Sequence, residues 1–414
     1  MTTERGDNPA SASVEPLVRR VRLRNYKSIG QCDLNLGGMT FLVGRNGAGK
    51  SNFLDALRFV ADSLDTSLDH AIKARGGIDE VRRRSTGHPR NFLIEVELNL
   101  PDWKVALFSF EVAAREKGGF QVKREQLEVR KPSGEVEAEY DVVGGVVERP
   151  TGAQMPPAAP DRLYLVTASS LPQYRGVYDA LRSMGFYNLN PQEMKELQSP
   201  DAGELLHRDG SNIASVVARL VADSPAVMER VREYLSKIAP GVIDVKRVAL
   251  GPRETLEFRQ EMVGAQHPWR FHAANMSDGT LRALGVLIAV SQLVGRERPV
   301  RLVGIEEPET ALHPAAAGFL MDALREASMR TQVIVTSHSP DLLDQLNGDP
   351  RSLLVVLSEE GETRIAEVDR ASREAIKGHL YTPGDLLRMD QLQPDPEDIK
   401  RQMALDFERP GGVA

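Results

Sequence analysis

Cysteine is almost missing from this chain. Cys32 stands alone among 414 residues, which excludes an intramolecular disulfide framework and any zinc site built from the cysteines of one chain. A reducing cytoplasm is the compartment that fits. Long apolar runs are missing as well: the most hydrophobic window, LGVLIAVSQLV from Leu284 to Val294, is broken by Ser291 and Gln292 and is too short to span a bilayer. The opening MTTERGDNPASASVEP has no hydrophobic signal-peptide core, so nothing marks export or membrane insertion. Positive charge is not in excess either. With a formal net charge of -7, any contact with nucleic acid has to come from local basic patches. There is no internal repeat, and no heptad pattern holds over the several repeats that a long coiled coil needs.

What is present is an ordinary globular composition in a chain too long for one simple core, which suits one large domain with a substantial insertion, or two domains. Residues 1–16, rich in Ser, Thr, Pro and charge, read as a disordered tail, and 405–414 as a flexible one. Val18, Val21 and Leu23 predict a first strand, CDLNL a second and MTFLVG a third. After a glycine-rich turn, Phe53, Leu54, Leu57, Phe59 and Val60 fall at helical spacing. Between Asn91 and Arg130 the alternation of FLIEVELNL, ALFSFEVAA and FQVKREQLEVR predicts an antiparallel sheet. A Pro/Gly/Ala-rich break comes next, and 161–242 reads as a compact helical insertion. IDVKRVAL and ETLEFRQEM then return to strand. VRLVGIEEPE and TQVIVTSHSP each end an apolar run in polar residues, as buried parallel strands do when functional loops lie at their carboxyl ends.

Four stretches carry chemistry. GRNGAGKS, Gly44 to Ser51, matches G-x-x-x-x-G-K-[ST] between a strand and a helix, the context in which backbone N–H groups and a helix N-terminus converge on phosphates. Lys50 would reach the terminal phosphates and the Ser51 hydroxyl would ligate Mg2+. Gly44, Asn46, Gly47, Gly49, Lys50, Ser51 and Asn52 form the expected nucleotide-contacting set. In LVGIEEPETALHP a short apolar strand delivers Glu306 and Glu307 to its end. Paired acids there can divide the labour, Glu306 holding the metal and Glu307 orienting or deprotonating a water, although an acid pair alone is also an ordinary surface loop. His338, in VIVTSHSPDLL, could hydrogen-bond a γ-phosphate, or be a turn residue. MSDGTLRALG, Met276 to Gly285, offers Ser277 as a helix cap and Gly279 as a backbone position open to close approach by phosphate; as bare chemistry it predicts only a capped helix.

In this order the four stretches resemble those of ATP-binding-cassette ATPases of the SMC, RecF and OLD-like group, over roughly 17–76 and 275–345. The resemblance implies an α/β fold, a P-loop ATPase head of mixed sheet with an antiparallel subdomain and a compact helical insertion. Its halves would be 17–160, with Walker A and the antiparallel sheet, and 243–404, with signature, Walker B and switch histidine. It also implies ATP and Mg2+ as cofactors, with Lys50, Glu307 and His338 in catalysis, Ser51 and Glu306 at the metal, and Ser277 and Gly279 as a signature that grips nucleotide. Glu306 stands where many members carry aspartate, MSDGT replaces the commoner LSGGQ, and the D-loop position falls at TALHP, around Leu312 and His313. Members pair head-to-tail around two ATP molecules, so the partner implied first is a second copy of this chain.

Basic residues at VRRVRLRNYK and DEVRRRSTGHPR add a second expectation. Arg20, Arg22 and Arg24 share one face of a strand, and Arg82, Arg83 and Arg84 form a cluster, so both groups could touch DNA phosphates or be solvated edge charges. RMDQLQPDPED, at Met389 to Asp398, reads as a polar surface loop and not as a nuclease metal site. The leading expectation is an ATP-driven dimeric switch acting on DNA or on a separately encoded effector protein in prokaryotic antiphage or plasmid defence. A repair and recombination ATPase and a non-catalytic scaffold assembled by ATP remain as alternatives.

Overall fold

The computed structural model describes residues 15–85, 89–149, 151, 155–292, 300–346 and 350–405. The tails expected at 1–16 and 405–414 therefore lie, except for their innermost residues, outside the described residues. Strands in chain order are β1 (Val18–Tyr26), β2 (Ile29–Asn35), β3 (Met39–Val43), β4 (Asn91–Asn99), β5 (Val105–Ala114), β6 (Phe120–Arg130), β7 (Val136–Val143), β8 (Val146–Glu148), β9 (Met184–Tyr187), β10 (Val242–Leu250), β11 (Arg253–Gln260), β12 (Trp269–His272), β13 (Leu302–Glu306), β14 (Gln332–Ser337), β15 (Leu353–Glu359) and β16 (Glu362–Glu367). Thirteen of them form one sheet in the order β8-β7-β6-β5-β4-β1-β2-β16-β15-β3-β14-β13-β9, and β10-β11-β12 form a small separate one.

The large sheet changes character along its width. From β8 to β2 neighbouring strands run antiparallel, whereas β15, β3, β14, β13 and β9 are parallel. The sequence separates the two halves for a physical reason. Strands wet on one face alternate, as β4 and β5 do, while β13 and β14 are covered on both faces and read as continuous apolar runs. The three-residue step from Val18 to Val21 is a register irregularity of β1 against β4 between Val18 and Arg20, so both valines still point inward.

Two hydrophobic cores lie on the sheet. One packs the helix Lys50–Asp65 through Phe53, Leu57 and Val60 against β1, β4 and β5, together with Tyr174, Val177 and Leu181. Phe59 meets Tyr26, Phe92 and Phe110 at ring-centroid distances of 5.9, 5.5 and 6.3 Å. The other core gathers the helices Ile213–Asp223, Pro225–Ile238, Asp278–Ser291 and Ala317–Ser328 against β3, β13 and β14.

Two expectations need correction. The stretch 161–242 is mostly helical, but it is not a self-contained insertion: β9 pairs in parallel with β13, Met184 opposite Leu302 and Tyr187 opposite Ile305. Met184 and the helix before it belong to the first core, whereas Tyr187, Leu189 and Met194 belong to the second. Four residues are too few to show a strand period, so MGFY carries no signal. The loop expected from Met389 to Asp398 ends early, because Asp395 accepts from the N–H groups of Glu397 and Asp398 and caps a helix, Pro396–Met403.

Arg20, Arg22 and Arg24 do share a face, but that face also carries acids. Arg20 Nε donates to Asp33 at 2.6 Å, Arg22 to Glu95 at 3.0 Å and Arg24 to Glu111 at 3.2 Å. The second cluster is engaged in the same way, Arg82 with Asp79 at 2.8 Å, Arg83 with Glu362 at 2.6 Å and Arg84 with Glu80. Among the described residues no helix is long and apolar enough to cross a membrane.

Candidate functional site

β3 ends at Val43, and the chain turns through Gly44–Gly49 into the helix beginning at Lys50. Gly49 has φ +105, a left-handed position, and a Cβ there would lie 2.0 Å from Thr363 Oγ1. Glycine is thus required twice over, by conformation and by the approach of β16. Thr363 Oγ1 donates to Ala48 O at 2.9 Å and lies 2.7 Å from Ser28 Oγ, which accepts from Asn52 Nδ2 at 2.6 Å. Asn52 therefore braces the loop from behind. Lys50 Nζ folds back onto the loop, donating to Gly44 O at 2.9 Å and Arg45 O at 3.0 Å. Burial lowers its pKa, opposed by Glu307 and Glu309. Asn46, Gly47 and Ser51 are exposed.

β13 and β14 lie beside β3, so their carboxyl ends open onto the same edge as the glycine loop. Glu307, just past β13, has φ +44, a conformation that costs a non-glycine residue about 1–2 kcal/mol. Its N–H donates to Thr336 O at 2.9 Å, and its carbonyl accepts from Arg282 Nε at 3.2 Å. The bend aims the carboxylate: Glu307 Oε1 is 3.2 Å from His338 Nδ1 and 3.9 Å from Lys50 Nζ. Three residues taken from three separate stretches of sequence therefore meet. Glu306 faces elsewhere, its Oε1 accepting from Arg208 Nη2 at 2.8 Å.

Ser277 caps the helix Asp278–Ser291, accepting from Thr280 N at 3.2 Å, and its Oγ lies 2.8 Å from Thr280 Oγ1. These bonds stay within the first turn of its own helix, apart from the meeting of Lys50, Glu307 and His338. Gly279 is buried, and a Cβ there would lie 2.3 Å from Ala311 O of the same chain. Its smallness is explained within one subunit by the approach of the TALHP loop.

Three residues at the site are not marked by any motif. Glu309 accepts from Ser337 Oγ at 2.6 Å and His338 N at 3.3 Å, while its Oε2 is buried without a hydrogen-bond partner. Burial raises its pKa, opposed by the Ser337 and His338 donors. Arg282, one turn into the Ser277 helix, donates to Leu189 O at 2.9 Å and Glu306 O at 3.4 Å as well as to Glu307 O. Arg208 is the third. Glu309 alone has a sequence signal, its place in the EEPE run.

A model of the family described as "AAA domain, putative AbiEii toxin, Type IV TA system" matches residues 39–133 and 230–344, together just over half of the chain. The chain belongs to this family. Its two matched parts hold the Lys50 loop with the antiparallel strands, and the Ser277 helix with Glu306, Glu307 and His338. No curated protein matches the chain. Among solved structures, an SMC head bound to the C-winged helix domain of ScpA is 14% identical, covers 86% of this chain and 99% of its own, and has a TM-score of 0.53. An SMC head with extended coiled coil, bound to the C-terminal domain of ScpA and derived from Pyrococcus furiosus, is 13% identical over 88% of this chain and 99% of its own, at 0.49. The first of these gives the fold alone, that of an SMC head: mixed α/β with a large mixed sheet.

In such an AAA-family chain the donor set has to suit a metal carried in by nucleotide. Among the described residues no group of three or more His, Cys, Asp or Glu side chains could hold a metal alone. The Ser51 hydroxyl and the Glu306 carboxylate, the latter now held by Arg208, are hard oxygen donors of the kind that suits Mg2+, an ion that retains waters and takes further oxygens from phosphates. In donor chemistry these residues fit the group.

Proposed function

We propose that the chain is an ATP-hydrolysing switch in which two copies, paired head-to-tail, enclose two ATP molecules and thereby control binding of DNA or of a separately encoded effector in prokaryotic antiphage or plasmid defence. The observation that carries this reading is the convergence of Glu307 with His338 and Lys50 beside a glycine loop. Lys50, now held by its own loop carbonyls, would exchange them for phosphate oxygens, and the exposed N–H groups of the loop would complete the cradle. Ser51 and Glu306 would hold Mg2+, which supplies charge neutralisation at the phosphates. Glu307 would take the proton of the attacking water, with His338 holding that carboxylate in place and standing ready for the γ-phosphate. Ser277 and the first turn of its helix would present N–H donors to a nucleotide held by the Lys50 of the other copy, which makes ATP the ligand that joins the pair. The toxin and antitoxin wording of the family supports a role in defence.

Phosphate release by the purified protein and by Glu307→Gln tests the catalytic part. The variant should bind ATP as before while turnover falls about 10²- to 10⁴-fold, the range of general acid–base contributions. Equal turnover in both proteins would remove Glu307 from the chemistry and favour the scaffold reading.

A further inference from the structure

Glu306 and Glu307 are adjacent, yet the structure gives them different cations. Glu307 meets His338 and Lys50, whereas Glu306 pairs with Arg208, from the turn before the helix Ile213–Asp223. The backbone around Arg208 is firmly placed. Its carbonyl accepts from Asn188 N at 2.9 Å, and the Asp209 carbonyl accepts from Asn190 N at 2.9 Å. On the preceding side His207 N donates to Asn212 Oδ1 at 2.8 Å and Leu206 N to Gln292 Oε1 at 2.7 Å. Gln292 is fully buried at the carboxyl end of the Ser277 helix, and its Nε2 donates to Tyr187 OH at 3.1 Å. A segment anchored to both ends of the second core thus sends one guanidinium onto a carboxylate at the site.

We propose that Arg208 is the resident counter-cation of Glu306, occupying its carboxylate until metal-bound nucleotide arrives, and that its release reports the filled site to the carboxyl end of the Ser277 helix. This rests on the proposed function, in which Glu306 serves Mg2+. The energetics suit a reversible contact. The Arg208 side chain is 45% exposed, and pairs of that kind are weak, enough to hold a carboxylate at rest and too little to resist a divalent cation. Arg208 engages Glu306 Oε1, and a metal ion drawn to the same carboxylate meets the like charge of the guanidinium, so the two compete. Once displaced, the guanidinium keeps all its donors and can turn to phosphate oxygens, which moves the charge toward the nucleotide and releases the 205–212 segment from Glu306.

The test is the Mg2+ dependence of binding of a slowly hydrolysed ATP analogue, measured by titration calorimetry. Arg208→Gln should lower the Mg2+ concentration at half-saturation by about 2- to 5-fold, the range that an exposed pair allows, and Arg208→Lys should shift it less. In a Glu306→Gln background the Arg208→Gln shift should vanish. Hydrogen exchange gives a second readout: the amides of Leu206 and His207 should quicken on adding Mg2+ with nucleotide in the wild type, and be quick beforehand in Arg208→Gln. An unchanged or raised Mg2+ midpoint, or the same shift without the Glu306 carboxylate, overturns the inference while leaving the ATP site standing. Absence of analogue binding by the wild type removes both.

Discussion

The side chains that meet at Glu307 show which contacts a sequence announces. Lys50 is legible because the loop that positions it is eight consecutive residues, and Glu307 and His338 because each ends its own apolar strand. Arg282 and Arg208 are not, since their partners lie 25 and 98 positions away and no local pattern encodes such a meeting; Glu309 has only its place in the EEPE run, its Ser337 partner lying 28 positions away. Glu125 is a further case. It is fully buried, accepts from Tyr140 OH at 2.8 Å and Leu165 N at 2.7 Å, and burial pushes it up to about 7 from 4.5 against those donors. A raised carboxylate stabilises the fold fully below the unfolded value, and the contribution is lost as pH rises through the folded value. Between about pH 4.5 and 7 this group should therefore cost about 3 kcal/mol. Chemical denaturation across that window should show a decline that Glu125→Gln flattens. Identical slopes in the two proteins would mean that Glu125 is not ionising there.

At the scale of elements, strand, loop and helix around Lys50 were readable because each shows its own period within a few residues. The parallel neighbours β13 and β14 were readable as apolar runs. β9 was not, because MGFY is shorter than one strand-length pattern, and its role as the sheet's last strand is fixed by what it packs on. The meaning of Gly279 also changes with the loop at Ala311 beside it. A methyl group 2.3 Å from that carbonyl has to part the Ser277 helix from the loop, and forced overpacking of this kind costs about 1–3 kcal/mol. Gly279→Ala should lower the calorimetric melting temperature of the nucleotide-free protein. A variant that melts with the wild type and fails only in nucleotide-dependent steps would instead place the demand for glycine at the phosphate.

Over the whole molecule, charge bears on a question that the motifs raise. The arginines of β1 and of the 82–84 cluster are held by acids across strands and turns, in keeping with a chain of net charge -7. Ladders of this sort stabilise a wet sheet face and leave fewer cations for phosphates than the sequence alone promised. Exposed residues remain at the glycine loop, Asn46, Gly47 and Ser51, and at the cap residue Ser277. In the proposed two-fold pair these two surfaces would face one another, and one kind of chain would suffice. Light scattering coupled to size exclusion of Glu307→Gln, alone and combined with Ser277→Arg, each with and without ATP, tests this most directly. The account predicts a dimer for Glu307→Gln only with ATP, and a nucleotide-bound monomer once Ser277→Arg is added. An ATP-induced dimer that survives Ser277→Arg, or an ATP-loaded Glu307→Gln that remains a monomer at every protein concentration, would contradict it.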